Sequence, residues 1–123
     1  MPEPLDSLIA AVMADDTDGV RDAVAMGADP DGIANGLLER PLHIAARLGL
    51  KYVALALLGC GANARLEDGY GANPTDKARL AGFADLAAML SKAERPDWSS
   101  PDIGRPSAHA DARRTRHHRP RLL

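Results

Sequence analysis

Four histidines, one cysteine and two adjacent carboxylate pairs are the residues of this chain that could do chemistry. His43 stands in the run Arg40-Pro41-Leu42-His43-Ile44-Ala45-Ala46. Cys60 lies one residue before Gly61, and no positioned base accompanies it, so it reads as a packing thiol. His109, His117, His118 and Asp111 could bind a divalent cation, but ligands on such a segment lack the outer partners that orient a metal site. Asp15-Asp16 and Glu67-Asp68 are explained by a helix cap and a tight turn. No glycine loop of the phosphate-cradling kind occurs. The expectation is a non-enzyme with no catalytic residue, no metal and no cofactor.

The elements around these residues recur. Gly27-Ala28-Asp29 precedes Gly61-Ala62-Asn63 by 61 − 27 = 34 residues; Pro41 precedes Pro74, and Gly49 precedes Gly82, by 33. Each proline opens an Ala-rich run, where its missing N–H costs nothing at the first helical position. Leu5, Leu8, Ile9 and Val12 fall at i, i+3, i+4, i+7, the apolar stripe of an amphipathic helix. Asp16, Thr17 or Asp18 can cap the next helix, whose face is Val20, Ala23 and Val24. Leu42, Ala45 and Ala46 supply a small-residue face that lets a neighbour approach closely. Val53, Ala54, Leu57 and Leu58 make the next face, repeated by Leu86, Ala87 and Leu90. Gly27 and Gly61 end helices, where a residue of positive φ closes the last turn. The pattern predicts an all-α chain of three helix pairs, each needing its neighbours to bury its apolar face.

The run Pro41-Leu42-His43-Ile44-Ala45-Ala46-Arg47-Leu48-Gly49, closing with Gly61-Ala62-Asn63, resembles the ankyrin repeat signature, and the period of about 33 residues is the ankyrin value. Asp68, Gly71 and Pro74 fall where that family has Asp, Gly and Pro. The resemblance implies a solenoid of about three helix-turn-helix repeats linked by hairpin-like loops, with repeats at 4–38, 39–72 and 73–93 in a domain of 1–93. It also implies that His43 orders its turn by hydrogen bonding. Arg40 replaces the usual Thr, so the hydroxyl bond beside His43 is absent. In the third repeat Asn73-Pro74-Thr75-Asp76 stands in the motif's place: Asn73 can cap the helix, and Thr75 and Asp76 suit a terminal repeat with less to bury. Asp22, Ser91 and Lys92 read as polar caps at positions where the second repeat has Ala56, Leu58 and Gly59.

Residues 94–123 lose helical periodicity, carry recurrent prolines and hold the basic run Arg113–Arg121; too little can be buried to offset ordering entropy, so a disordered tail is expected. The net charge of −2 conceals an asymmetry: −8 over residues 1–39, +3 over 40–93 and +3 over 94–123. Residues 1–15 lack the basic start of a signal peptide, and no apolar run reaches a membrane span of about 20 residues. These features point to a cytoplasmic protein with no membrane contact, monomeric by expectation.

The functional expectation follows from the resemblance. Such repeats act by occupying the surface of another protein with their loop tips and first helices. Mapped by register, the partner-binding residues are Arg47, Leu48, Gly69, Tyr70, Ala72, Leu80 and Ala81, with Leu37 and Leu38 near the first loop. Two rival readings are a nucleic-acid-associated accessory protein using the basic tail, and a self-associating module. The tail's single aromatic, Trp98, lies far from the arginines, which gives no stacking platform for bases.

Overall fold

The structure, a computed structural model, describes residues 3–95. Six helices are present among them and no strand: α1 (Pro4–Met13), α2 (Thr17–Ala25), α3 (Pro41–Leu48), α4 (Lys51–Gly59), α5 (Pro74–Leu80) and α6 (Ala84–Ala93). They pair in chain order, α1 with α2, α3 with α4, α5 with α6. The first helices α1, α3 and α5 then pack in succession, and α2 packs on α4. The expected disordered tail lies outside the described residues from position 96 onward.

Local chemistry explains several of the boundaries. Pro4, Pro41 and Pro74 are first helical residues. Asp16 caps α2 by accepting from the Gly19 N–H at 3.0 Å, and Asn73 caps α5 by accepting from the Asp76 N–H at 2.9 Å. The backbone itself repeats: positive φ occurs at Asp15, Gly49 and Gly82 (34 and 33 residues apart), at Gly27 and Gly61 (34 apart), and at Leu38 and Gly71 (33 apart). Three classes of tight connection thus recur with the period of the sequence. The extra residue of the first connection lies between Asp29, which matches Asn63, and Asn35, which matches Asp68; both members of each pair accept from the N–H two residues on.

The core is aliphatic and continuous through all three pairs. Leu8, Val12, Val20, Leu42, Val53, Leu57 and Leu90 are its fully enclosed members, with Ala45, Ala46, Ala54 and Ala78 between them. The predicted faces of α1, α2, α3, α4 and α6 are the ones turned to the core, with Leu5, Ile9 and Val24 partly buried at its edge. Asp22, Ser91 and Lys92 are exposed where Ala56 and Leu58 are buried. Thr75 departs from expectation: it is buried, and its hydroxyl donates to Glu94 Oε2 at 2.5 Å, tying α5 to the end of α6.

Candidate functional site

The surface expected to bind a partner rests on a buried polar framework between the first and second loops. The turn Asp68–Ala72 is closed on itself. Asp68 Oδ1 accepts from the N–H groups of Tyr70 (2.9 Å) and Ala72 (3.0 Å), and the Gly71 N–H donates to the Asp68 carbonyl (3.0 Å). The Gly69 N–H reaches across to the Leu37 carbonyl at 2.8 Å, which fastens one loop to the next. A Cβ at Gly69 would stand 3.0 Å from that carbonyl oxygen, tighter than an ordinary contact.

His43 links the helices to the same turn. Its Nδ1 accepts from the Arg40 N–H (2.9 Å) and its Nε2 lies 3.0 Å from the Ala72 carbonyl. A backbone N–H can only donate and a carbonyl can only accept, so the ring is the neutral tautomer with its proton on Nε2. Burial holds the His43 pKa below its usual value, although the Ala72 bond and Asp68 oppose this. The Arg40 backbone N–H thus supplies the bond to His43 Nδ1 at a position without a side-chain hydroxyl. Asp76 repeats half of the arrangement, accepting from the Asn73 N–H at 3.2 Å, but a carboxylate has no proton to donate onward.

Beneath the turn sits a cluster of four charges. Glu39, almost wholly enclosed, accepts from Asn35 Nδ2 (2.9 Å), takes a two-point contact from Arg47 (3.2 Å each) and lies 3.1 Å from Lys77 Nζ. Lys77 also pairs with the buried Asp68 at 2.6 Å. Burial pushes the Glu39 carboxyl up, but the Asn35, Arg47 and Lys77 contacts outweigh it and bring the pKa to about 2. Burial likewise raises Asp68, while Lys77 and the turn N–H groups carry it down to about 2. Burial lowers Lys77, yet Asp68 and Glu39 hold its pKa above the usual value. Two carboxylates thus face two cations, a balanced cluster of the kind that can persist in a low-dielectric interior.

This framework holds large apolar side chains out in solvent. Tyr70 is 79% exposed and Leu80 83% exposed. Together with Gly71, Ala72, Asp76 and Arg79 they line a shallow depression of about 350 Å3. Of the residues mapped from sequence, Tyr70, Ala72 and Leu80 are brought together here. Gly69 serves as the loop-to-loop contact, and the Arg47 side chain is half exposed but tied to Glu39. Leu48 and Ala81 are exposed at the ends of α3 and α5, outside the depression's lining. Leu37 and Leu38 are about half exposed on the adjoining loop. The sequence does not single out Glu39, Lys77 or Arg79, and Asp76 reads there only as a polar residue of a terminal repeat. Lys77 carries no signal in the sequence, and Glu39 contributes to the −8 of residues 1–39 although it is enclosed. Cys60 is partly buried, and burial raises its pKa, which keeps the thiol protonated. His109, Asp111, His117 and His118 lie outside the described residues.

Curated proteins to which the chain is similar include the following two. It is 39% identical over 93 residues to the potassium channel KOR1 of Oryza sativa subsp. japonica, covering 75% of this chain and 11% of the channel. It is 38% identical over 64 residues to cyclin-dependent kinase 4 inhibitor B of Bos taurus, covering 52% of this chain and 49% of the inhibitor. The chain therefore spans about a tenth and about half of the length of these relatives. Both alignments are weak homology to ankyrin-repeat-containing proteins. No protein-family model matches the chain. Among the described residues no helix is long and apolar enough to cross a membrane.

Proposed function

We propose that this chain is an ankyrin-repeat solenoid that acts without chemistry of its own, binding another protein on the face built from the 35–38 and 68–72 loops and the outer sides of α3 and α5. Ankyrin-repeat proteins generally mediate protein–protein interaction. One observation carries the reading. Tyr70 stands almost fully in water on a turn that is pinned by Asp68, His43 and the Gly69 bridge, and Leu80 does so nearby at the end of α5. A rigid support that presents a large aromatic and a leucine side by side loses little entropy when a partner covers them. Tyrosine contributes both apolar area and a polar tip, which favours it at the centres of interfaces.

The test is affinity capture with the full chain followed by substitution. Tyr70→Ala and Leu80→Ser should each weaken the captured partner more than about tenfold, or 1.4 kcal/mol, with an unchanged melting temperature. A partner that tolerates both changes, and the Arg47 and Leu48 changes, would place binding elsewhere on the chain.

A further inference from the structure

A second depression lies on the exposed side of the first helix pair, away from the loop face. It measures about 520 Å3 and is lined by Ser7, Ala10 and Ala14 of α1 and its end, by Asp16, and by Asp22 and Met26 of α2 and its end. Its floor is apolar, since the alanines carry only methyl groups and Met26 is 77% exposed. Its rim is acidic. Residues 15–22 hold Asp15, Asp16, Asp18 and Asp22 against Arg21, a net 1 − 4 = −3. Arg21 pairs with Asp18 at 3.4 Å; Asp15 and Asp22 have no ion-pair partner among the described residues.

The chain carries a segment of matching chemistry. Residues 113–121 hold five arginines and no acid, a charge of +5, and Leu122-Leu123 follow. The segment offers cations for the acidic rim and two leucines for the alanine floor. Reach also matches. The last described residue, Arg95, stands just beyond α6, and 17 residues (96–112) separate it from Arg113. Seventeen residues would reach a root-mean-square span of roughly 23 Å if they behaved as a Gaussian chain. The first and third helix pairs are two packing steps apart, about 20 Å at the usual 8–10 Å between packed helices.

We infer that residues 113–123 dock on the α1–α2 groove of their own chain, arginines against Asp16 and Asp22 and leucines over Ala10, Ala14 and Met26. The tether places the segment near the groove at an effective concentration on the order of millimolar. Weak exposed ion pairs, each worth little alone, can therefore keep the groove occupied without the segment acquiring a fold. A basic partner that reaches this face must displace the chain's own tail.

A spin label at position 112 tests this directly, in full-length Cys60→Ala, Ala112→Cys protein observed by NMR. The amide signals of Ala10, Ala14, Asp22 and Met26 should broaden more than those of Tyr70 and Leu80. The broadening should persist on dilution. It should vanish in about 1 M salt, where the screening length falls to about 3 Å. Asp16→Asn with Asp22→Asn should also abolish it, and Asn retains the capping oxygen of α2. In the wild-type full chain, without any label, added salt should shift the same four amides. The shifts should be lost when the five arginines of 113–121 become serine. Broadening centred on the loop face, broadening that fades on dilution, or four amides indifferent to both salt and the arginines would overturn the docking.

Discussion

His43 shows how one side chain can serve three elements. It closes the α3 N-terminus on the Arg40 N–H, fills the core, and donates to the Ala72 carbonyl of the next loop. His43→Ala leaves the Arg40 N–H without its acceptor, at about 1–3 kcal/mol, and removes one of two donors to the Ala72 carbonyl, which keeps the Asp68 N–H at 2.8 Å; a denaturant midpoint should fall accordingly. The same geometry sets a pH dependence. The folded pKa lies below 6.5 because burial disfavours the charged ring, so below 6.5 the unfolded chain binds a proton that the native state does not. The contribution is fully present above 6.5 and is lost as pH falls through the folded pKa. Leu38 offers a second test at this scale. It holds φ at +61°, where Gly71 holds +79° in the equivalent position. A non-glycine residue there costs about 1–2 kcal/mol. Leu38→Gly should not lower the melting temperature, while loss of the exposed side chain should weaken partner binding.

At the scale of elements, the Glu39–Lys77–Asp68 bridge joins α5 to both loops, and Arg47 adds α3. Lys77→Met would strand two enclosed carboxylates opposite a single half-exposed arginine. Removing one partner of a buried pair costs about 3–5 kcal/mol, and thermal unfolding of the variant should show that loss near neutral pH. In acid the difference should shrink. Glu39 and Asp68 have folded pKa values of about 2 against ordinary values of 4.5 and 3.8. Because the folded values are the lower ones, their contribution is complete above 4.5 and disappears as pH falls towards 2. An acid titration of wild type followed by circular dichroism should therefore lose stability across that window, and the Lys77→Met chain should lose much less.

For the molecule as a whole, stability comes from contacts between neighbouring helix pairs, since no pair encloses a core of its own. The α3–α4 pair has neighbours on both sides, and Leu57 within it is fully buried. Leu57→Ala should cost about 2–5 kcal/mol. Small domains have only about 5–15 kcal/mol in total, so the urea midpoint of the entire chain should move, in one transition. Loss confined to part of the helical signal would show that the pairs unfold independently. The exposed surface differs between the two ends of this architecture: one face presents Tyr70 on its pinned turn and Leu80 at the end of α5, while the α1–α2 end presents alanines and aspartates.

The sequence alone determined the elements, because their causes are local and periodic. Prolines at 41 and 74, the caps Asp16 and Asn73, and glycines at 27, 49, 61 and 82 fix where helices start and stop. Apolar spacing then selects the buried face, and Leu8, Val20, Val53, Leu57 and Leu90 could be named in advance. Tyr70 and Leu80 were reachable by register, since a fixed period carries a position from one pair to the next. The charged cluster was not. Glu39 and Lys77 are 38 residues apart, and nothing in either neighbourhood distinguishes them from solvated charges. Only the stacking of α5 on α3 brings them to 3.1 Å and removes water from both. The same holds for the Gly69 bridge to Leu37 and for Thr75 with Glu94, whose partners are set by packing between elements. Periodicity records what each helix buries; which polar groups meet across the junctions depends on the packed arrangement of three pairs.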